Sequence, residues 1–334
     1  MKKALIAVML CIALLLTGCQ SKAAEPRKQS TVVFYFDTVV TITVYSDDEN
    51  ILSGLDEECL RYENMLSKTV EGSDVWNINH AKGERVAVNE ETRELILTAL
   101  EFSRLSDGRF DITVEPCVAL WDFTSEDRGA LPDADELAAA AEKVDWTKVD
   151  VNDEGVLIPE GMSIDLGAIA KGYISDRIAD YFVEKGVESA LLNVGGNVRT
   201  VGLKPDGSNW RIGIQDPEGV RDQSIVGVAT LGDNAVVTSG IYERGFILDD
   251  VVYHHILDPE TGYGVESDLT SATIIGESSI DCDALATVCV LLGSKKAAEL
   301  IENTEGFEAV FINSKGKITY TSGILREENE FILK

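Results

Sequence analysis

An α+β fold, mixed and with largely antiparallel sheet, is what this sequence predicts. Three observations lead there. Period-two apolar segments and helical apolar stripes interleave without a strict βαβ rhythm. Several strand-like segments follow one another across turns of two or three residues. The chain has 334 residues, 45% apolar and 26% charged, which is a globular composition with enough length for a large core.

The elements follow in order. Thr31 to Tyr45 alternates apolar and polar residues and reads as one or two strands. From Glu49 to Leu66, Ile51, Leu55, Cys59, Tyr62 and Leu66 make a helical stripe. Asn89 stands at the cap of a helix from Glu90 to Leu105, and Gly108 ends the turn after it. The stretch Gly108-Arg109-Phe110-Asp111, followed by Ile112 to Pro116 and Trp121, reads as a loop packing its aromatics. An Ala-rich acidic helix covers Ala134 to Val144, and two short strands flank Asp153-Glu154-Gly155. Met162 to Ile164 reads as a short strand, joined by a turn at Gly167 to a helix ending near Lys185. Strands are then expected at 189–194, 198–201, 210–215, 225–231 and 235–238, with Gly195-Gly196 a hairpin turn or a close approach to a ligand. A hairpin crosses Asp249-Asp250, with arms at 246–248 and 251–257. A strand at 269–275, a helix from Ile280 to Leu292 capped by Ser279, a helix at 295–303 and strands at 307–312 and 317–321 complete the chain.

The N-terminus has its own character. Lys2 and Lys3 precede an apolar run from Ala4 to Leu16, then Leu16-Thr17-Gly18-Cys19. The run is too short for a spanning helix and reads as a signal peptide. Small residues before a cysteine resemble a bacterial lipobox, so residues 1–18 would be removed and Cys19 lipidated, residues 19–30 would be a tether, and 31–334 the catalytic unit. Removal of Lys2 and Lys3 takes the basic residues from 29 to 27 against 58 acidic ones, and the net charge from −29 to −31. Such a surface repels nucleic acid and anionic headgroups, so membrane contact would come from the lipid. An anionic ligand needs local cations or a metal to offset that field. Cys59, Cys117, Cys282 and Cys289 lack CxxC spacing and a nearby His pair, which argues against zinc, and the sequence assigns no disulfide.

Three stretches could carry chemistry. In Ile164-Asp165-Leu166-Gly167-Ala168-Ile169-Ala170-Lys171-Gly172-Tyr173, a carboxylate, a glycine, a helix N-terminus and a lysine fall together, a combination that suits a phosphate-bearing ligand. The plain structural alternative is an Asp N-cap with a solvated lysine. His254-His255-Ile256-Leu257-Asp258-Pro259 holds two of the three histidines at a strand end, and alternation admits only one of them to a given site. In Asp281-Cys282-Asp283-Ala284-Leu285-Ala286-Thr287, Asp283 and Thr287 share a helix face as hard oxygen donors suited to Mg²⁺; otherwise these are dipole-complementing acids and a self-bonded threonine. Walker A, GxGxxG, HExxH and GxSxG patterns are absent.

IDLGAIAKGY, NVGGN, TSGIYER, HHILDPETGYGV and DCDALAT occur in the order seen in the ApbE family of FAD:protein FMN transferases, and GRFDITVEPCVALWDF resembles that family's flavin loop. The resemblance runs from about Phe34 to Leu292. It implies a T-fold-like arrangement, FAD as substrate and Mg²⁺ as cofactor. By position it implies FAD contacts at Arg109, Phe110, Asp111, Asp165, Lys171 and Leu257. It implies metal ligands at the Ala168 carbonyl, Asp283 and Thr287, catalytic work by Asp283, and proton transfer by His255. A flavin-contacting aromatic aligns with Thr69, and the family's Met-Gly-Thr reads Phe36-Asp37-Thr38, so the metal and phosphate end matches better than the ring end. The implied reaction moves FMN from FAD to a Thr or Ser of an extracytoplasmic flavoprotein, a membrane redox subunit or secreted reductase, and releases AMP. The alternatives are a Mg²⁺-dependent FAD pyrophosphatase giving FMN and AMP, and a lipid-anchored flavin binder without catalysis.

Overall fold

The computed structural model describes residues 25–121, 123, 129–220 and 223–334. Cys19 and the expected signal peptide lie outside them. Three layers organise the chain: helices, an eight-stranded sheet, and a four-stranded sheet on its far face. The large sheet contains β1 (Lys28–Tyr35), β2 (Thr38–Tyr45), β5 (Ala190–Val194), β6 (Asn197–Val201), β9 (Ala235–Gly240), β12 (Leu269–Gly276), β13 (Phe307–Asn313) and β14 (Ile318–Tyr320). They lie in that order, every neighbouring pair antiparallel. The smaller sheet runs β15 (Ile324–Glu327), β16 (Glu330–Leu333), β8 (Ile225–Leu231), β7 (Trp210–Gln215), with β16 and β8 parallel. Two hairpins stand apart: β3 (Asp150–Asn152) with β4 (Gly155–Leu157), and β10 (Gly245–Leu248) with β11 (Val251–His254).

Period-two alternation gives the large sheet two apolar faces. Val40, Ile42, Leu192, Val237, Ala272, Ile274 and Phe311 turn to the helices, while Val198, Val236, Ile275 and Val310 meet Trp210, Ile214 and Phe331 of the smaller sheet. The helices are α1 (Leu55–Leu66), α2 (Asp74–His80), α3 (Glu90–Leu105), α4 (Glu115–Trp121), α5 (Ala134–Ala141), α6 (Ala170–Glu184), α7 (Ser279–Leu292) and α8 (Ser294–Glu302). α7 is apolar nearly all round and buried, as a central helix must be. Its Cys282 and Cys289, like Cys59 and Cys117, are buried free thiols.

Several boundaries differ from the sequence reading, each for a local reason. β1 starts at Lys28 rather than Thr31, because pairing continues to Lys28 opposite Tyr45 and the Gln29 amide donates to the Ser46 and Asp48 carbonyls. The last three residues of the expected tether are therefore strand. α1 begins six residues late: Gly54 sits at φ 89°, a left-handed conformation that a helix from Glu49 cannot run through. The side chain of Asn89 caps nothing. Its N–H and amide donate to Asp74, which also accepts from the Thr92 hydroxyl. Met162 to Ile164 forms no strand; the Asn79 side chain takes the place of a ladder, accepting from the Ile164 N–H at 2.7 Å and donating to its carbonyl at 2.9 Å. Residues 112–121 fold as a 3₁₀ turn and α4 rather than a loop. Ser278, not Ser279, caps α7.

Candidate active site

The centre of the site is the meeting of two helix N-termini. A Cβ on Gly172 would lie 2.3 Å from the Ser279 carbonyl oxygen and 2.7 Å from Asp283 Cβ, so only glycine lets α6 pass this close to α7. Each helix then supplies a carboxylate to the other. Asp283 Oδ2 accepts the Gly172 N–H at 2.8 Å, and Asp176 Oδ2 accepts the Ile280 N–H at 3.0 Å. Both carboxylates sit at a positive dipole end, where a negative charge is favoured. The first turn of α6 thus donates to a protein carboxylate rather than to an open anion pocket. Gly167 also differs from expectation. It is not in the left-handed region, and its N–H donates to Asp165 Oδ1 at 2.7 Å. Asp165 closes that turn five residues ahead of α6 and is not the helix cap.

Asp283 is 2% exposed, and Lys171 Nζ stands 3.3 Å from its Oδ1. One turn on, Thr287 Oγ1 lies 3.1 Å from Ser239 Oγ of β9. Asp283 and Thr287 share a face as the spacing predicts, and Ala168 lies in the turn before α6. Among the described residues no group of three or more His, Cys, Asp and Glu side chains could hold a metal. The donors here are instead one carboxylate and neutral hydroxyls, hard oxygens that fit Mg²⁺ chemically.

A second cluster adjoins this one. Lys68 Nζ contacts Glu115 Oε2 at 2.5 Å and Asp165 Oδ2 at 2.8 Å. Burial and the charge of Asp165 push Glu115 up to about 7, against the pull of Lys68. Burial opposes ionisation of Asp165 as well, but Lys68, the Gly167 N–H and the charge of Arg244 hold it below the usual carboxylate range. The sequence reading missed Lys68, Glu115 and Arg244. The one available signal was their position inside or beside stretches carrying the family resemblance.

His254 and His255 part as strand alternation requires. His254 is buried, its ring about 3 Å from where a Cβ on Gly264 would sit. His255 is half-buried, with Nδ1 3.1 Å from the Arg244 carbonyl. Burial drives its pKa down to about 4; the Arg244 carbonyl opposes this, and the charges of Arg244, His254 and Lys171 add to it. The ring is therefore neutral at pH 7. With Nδ1–H donated to the carbonyl, Nε2 keeps its lone pair.

The flavin-loop residues have structural partners. Arg109 Nη1 pairs with Asp258 Oδ2 at 2.8 Å and lines, with Tyr263 and Lys296, a cleft of about 580 Å³. Phe110 is buried against Phe102. Asp111 accepts from the Thr113 N–H and hydroxyl and from the Trp146 N–H. Burial raises its pKa against those bonds. Leu257 is buried with Trp121 and Phe123. Thr69 is exposed, its hydroxyl 3.1 Å from Ser67 Oγ. The Asp165 N–H donates to the Ile112 carbonyl at 2.8 Å, which ties this loop to the Lys68 cluster.

Carboxylates, cations and a neutral imidazole thus gather at the helix face of the sheet, a polar, charged site in an α+β protein. The chain belongs to the ApbE family, whose sequence profile matches residues 36–311. It is 36% identical over 303 residues to an FAD:protein FMN transferase of Klebsiella pneumoniae, covering 90% of this chain and 93% of that one. It is 33% identical over 343 residues to the protein of the same name in Treponema pallidum, covering 96% and 94%. The crystal structure of the ApbE protein of Thermotoga maritima superposes with a TM-score of 0.82 at 34% identity, covering 89% of this chain and 97% of that one. The flavin transferase ApbE of Vibrio cholerae gives 0.79 at 27% identity, with the same coverage.

Proposed function

We propose that this chain is a Mg²⁺-dependent FAD:protein FMN transferase acting on a Thr or Ser hydroxyl of an extracytoplasmic flavoprotein. Family membership and the names of the relatives support the reaction. The observation that carries it is the convergence of Asp283, Lys171 and Thr287 with a neutral His255. In the reaction the acceptor oxygen forms a bond to the FMN phosphorus, the bond from that phosphorus to the AMP oxygen breaks, and AMP leaves as an anion. Such a transfer asks for positioning and charge neutralisation more than covalent help. His255 Nε2 takes the hydroxyl proton. Lys171, Lys68 and Arg244 offset the acidic field where the pyrophosphate docks, and Asp165 orients the dinucleotide. Asp283, Thr287 and the Ala168 carbonyl would hold Mg²⁺, which when bound would supply further neutralisation of the phosphate oxygens.

The lipobox supports a location on the extracytoplasmic side of the cell membrane, with lipid on Cys19, signal peptide 1–18 removed and the residues from Cys19 to the start of β1 as the tether. No helix among the described residues is long and apolar enough to cross a membrane. Incubation with FAD, Mg²⁺ and an acceptor flavoprotein tests the function. Flavin fluorescence on the acceptor in a denaturing gel is expected, and EDTA should abolish it. Free FMN with no labelled acceptor would make the protein a pyrophosphatase, and intact FAD would make it a binder.

A further inference from the structure

Glu115 and Asp165, the two partners of Lys68, lie 47 and 97 residues from it along the chain. Lys68 follows α1, Glu115 opens α4, and Asp165 lies in the loop before α6. The side chains keep 28%, 13% and 24% of their surface. One ammonium thus serves two sheltered carboxylates, and the charge of Asp165 works against ionisation of Glu115. Two sheltered carboxylates that share a single cation favour a proton on one of them, as in paired catalytic carboxylates.

We propose that Lys68 and Glu115 are positioning residues that hold Asp165 for the dinucleotide, and that Glu115 takes up a proton when FAD enters. The proposal rests on the reading of Asp165 as an FAD contact.

The charges decide where the proton sits. Asp165 has Lys68, the Gly167 N–H and the nearby charge of Arg244, and stays ionised. Glu115 pairs with Lys68 and faces the charge of Asp165. With both acids ionised the cluster carries −1, and with Glu115 protonated it is neutral. A pyrophosphate arriving beside Asp165 penalises the charged form, so binding draws one proton from solvent onto Glu115, and no bond of FAD breaks. Without FAD the group titrates near neutrality. Proton uptake is therefore expected at about pH 8, above that value, and vanishes at about pH 6, where Glu115 is already protonated.

Calorimetric titration of FAD into the protein with Mg²⁺ and no acceptor, in phosphate and in Tris, reads the uptake. At pH 8 the observed enthalpies should differ between buffers by a substantial fraction of one proton. At pH 6 they should agree. Glu115→Gln, nearly isosteric, should show no buffer dependence at either pH. Lys68→Met should weaken FAD binding tenfold or more, and Lys68→Arg should restore much of it, which lost packing alone would not predict. If Lys68→Met fails to fold, the Glu115→Gln comparison decides. Wild type binding FAD without uptake, or Glu115→Gln matching wild type, overturns the proposal and leaves the Asp165 contact standing. Wild type failing to bind FAD overturns both.

Discussion

His255 shows how a residue's surroundings set its chemistry. A free imidazole titrates near 6.5 and would be partly protonated in a neutral solution. Burial and neighbouring cations bring this one to about 4, so its base form prevails above about pH 5. At saturating FAD, kcat should show no acid limb from His255 between pH 8 and 5.5; a limb at 6.5 would mean that the ring titrates as if free. His255→Ala should lower kcat by about 10²-fold or more while FAD still binds. Asp283 accepts from α6 and, in the proposed mechanism, would also offer an anionic oxygen to Mg²⁺. Asp283→Asn retains an acceptor for the Gly172 N–H but removes the charge, so it should weaken Mg²⁺ binding to the FAD complex and turnover together. Equal Mg²⁺ affinity in the variant, read calorimetrically, would remove Asp283 from the ligand set.

At the scale of elements, the site depends on α6 and α7 crossing at their N-termini. Gly172→Ala would place a methyl 2.3 Å from the Ser279 carbonyl oxygen, which backbone cannot yield without moving a helix. It should destabilise the fold by about 1–3 kcal/mol in urea unfolding, as overpacking does. It should also weaken FAD and Mg²⁺ binding, because Lys171 and Asp283 would separate. Unchanged ligand affinity would show that the crossing does not set the site. The helix stripes and strand alternation of these elements were legible in the sequence. The ends were less so: Gly54, Asn79 and Asp74 act through side-chain or dihedral details that periodicity does not encode. Glu115 went unread because the stretch from Gly108 to Trp121 reads as a loop packing its aromatics, whereas the Ile112 carbonyl and the Asp111 cap hold it as a 3₁₀ turn leading into α4.

At the scale of the molecule, the large sheet separates two cores. The site lies on the helix side, and Phe331 closes the other against Trp210 and Val236. Phe331→Ala should cost about 3–5 kcal/mol in denaturant. FAD affinity measured well below the transition should change less than twofold, since the sheet stands between; a larger loss would couple the two faces. The proposed lipid anchor would act on the whole molecule as well. Cys19→Ala should move the protein from the membrane fraction to the soluble or precursor fraction, and unchanged fractionation would remove the lipid anchor.

The sequence by itself determined the mixed antiparallel class, the position of most strands and helices, and two local relations: Asp283 and Thr287 on one helix face, and His254 turned away from His255. Those features are set within a few residues, by alternation, helical spacing and turn chemistry, so a linear reading reaches them. Only the tertiary structure decided that Asp283 caps a helix 111 residues away, and that Lys68, Glu115 and Asp165 share one ammonium. It also decided that Arg109 is committed to Asp258 and that His255 is neutral. Each of these depends on groups brought together by the packing of the core, and on the loss of water around them, and neither is written in local sequence.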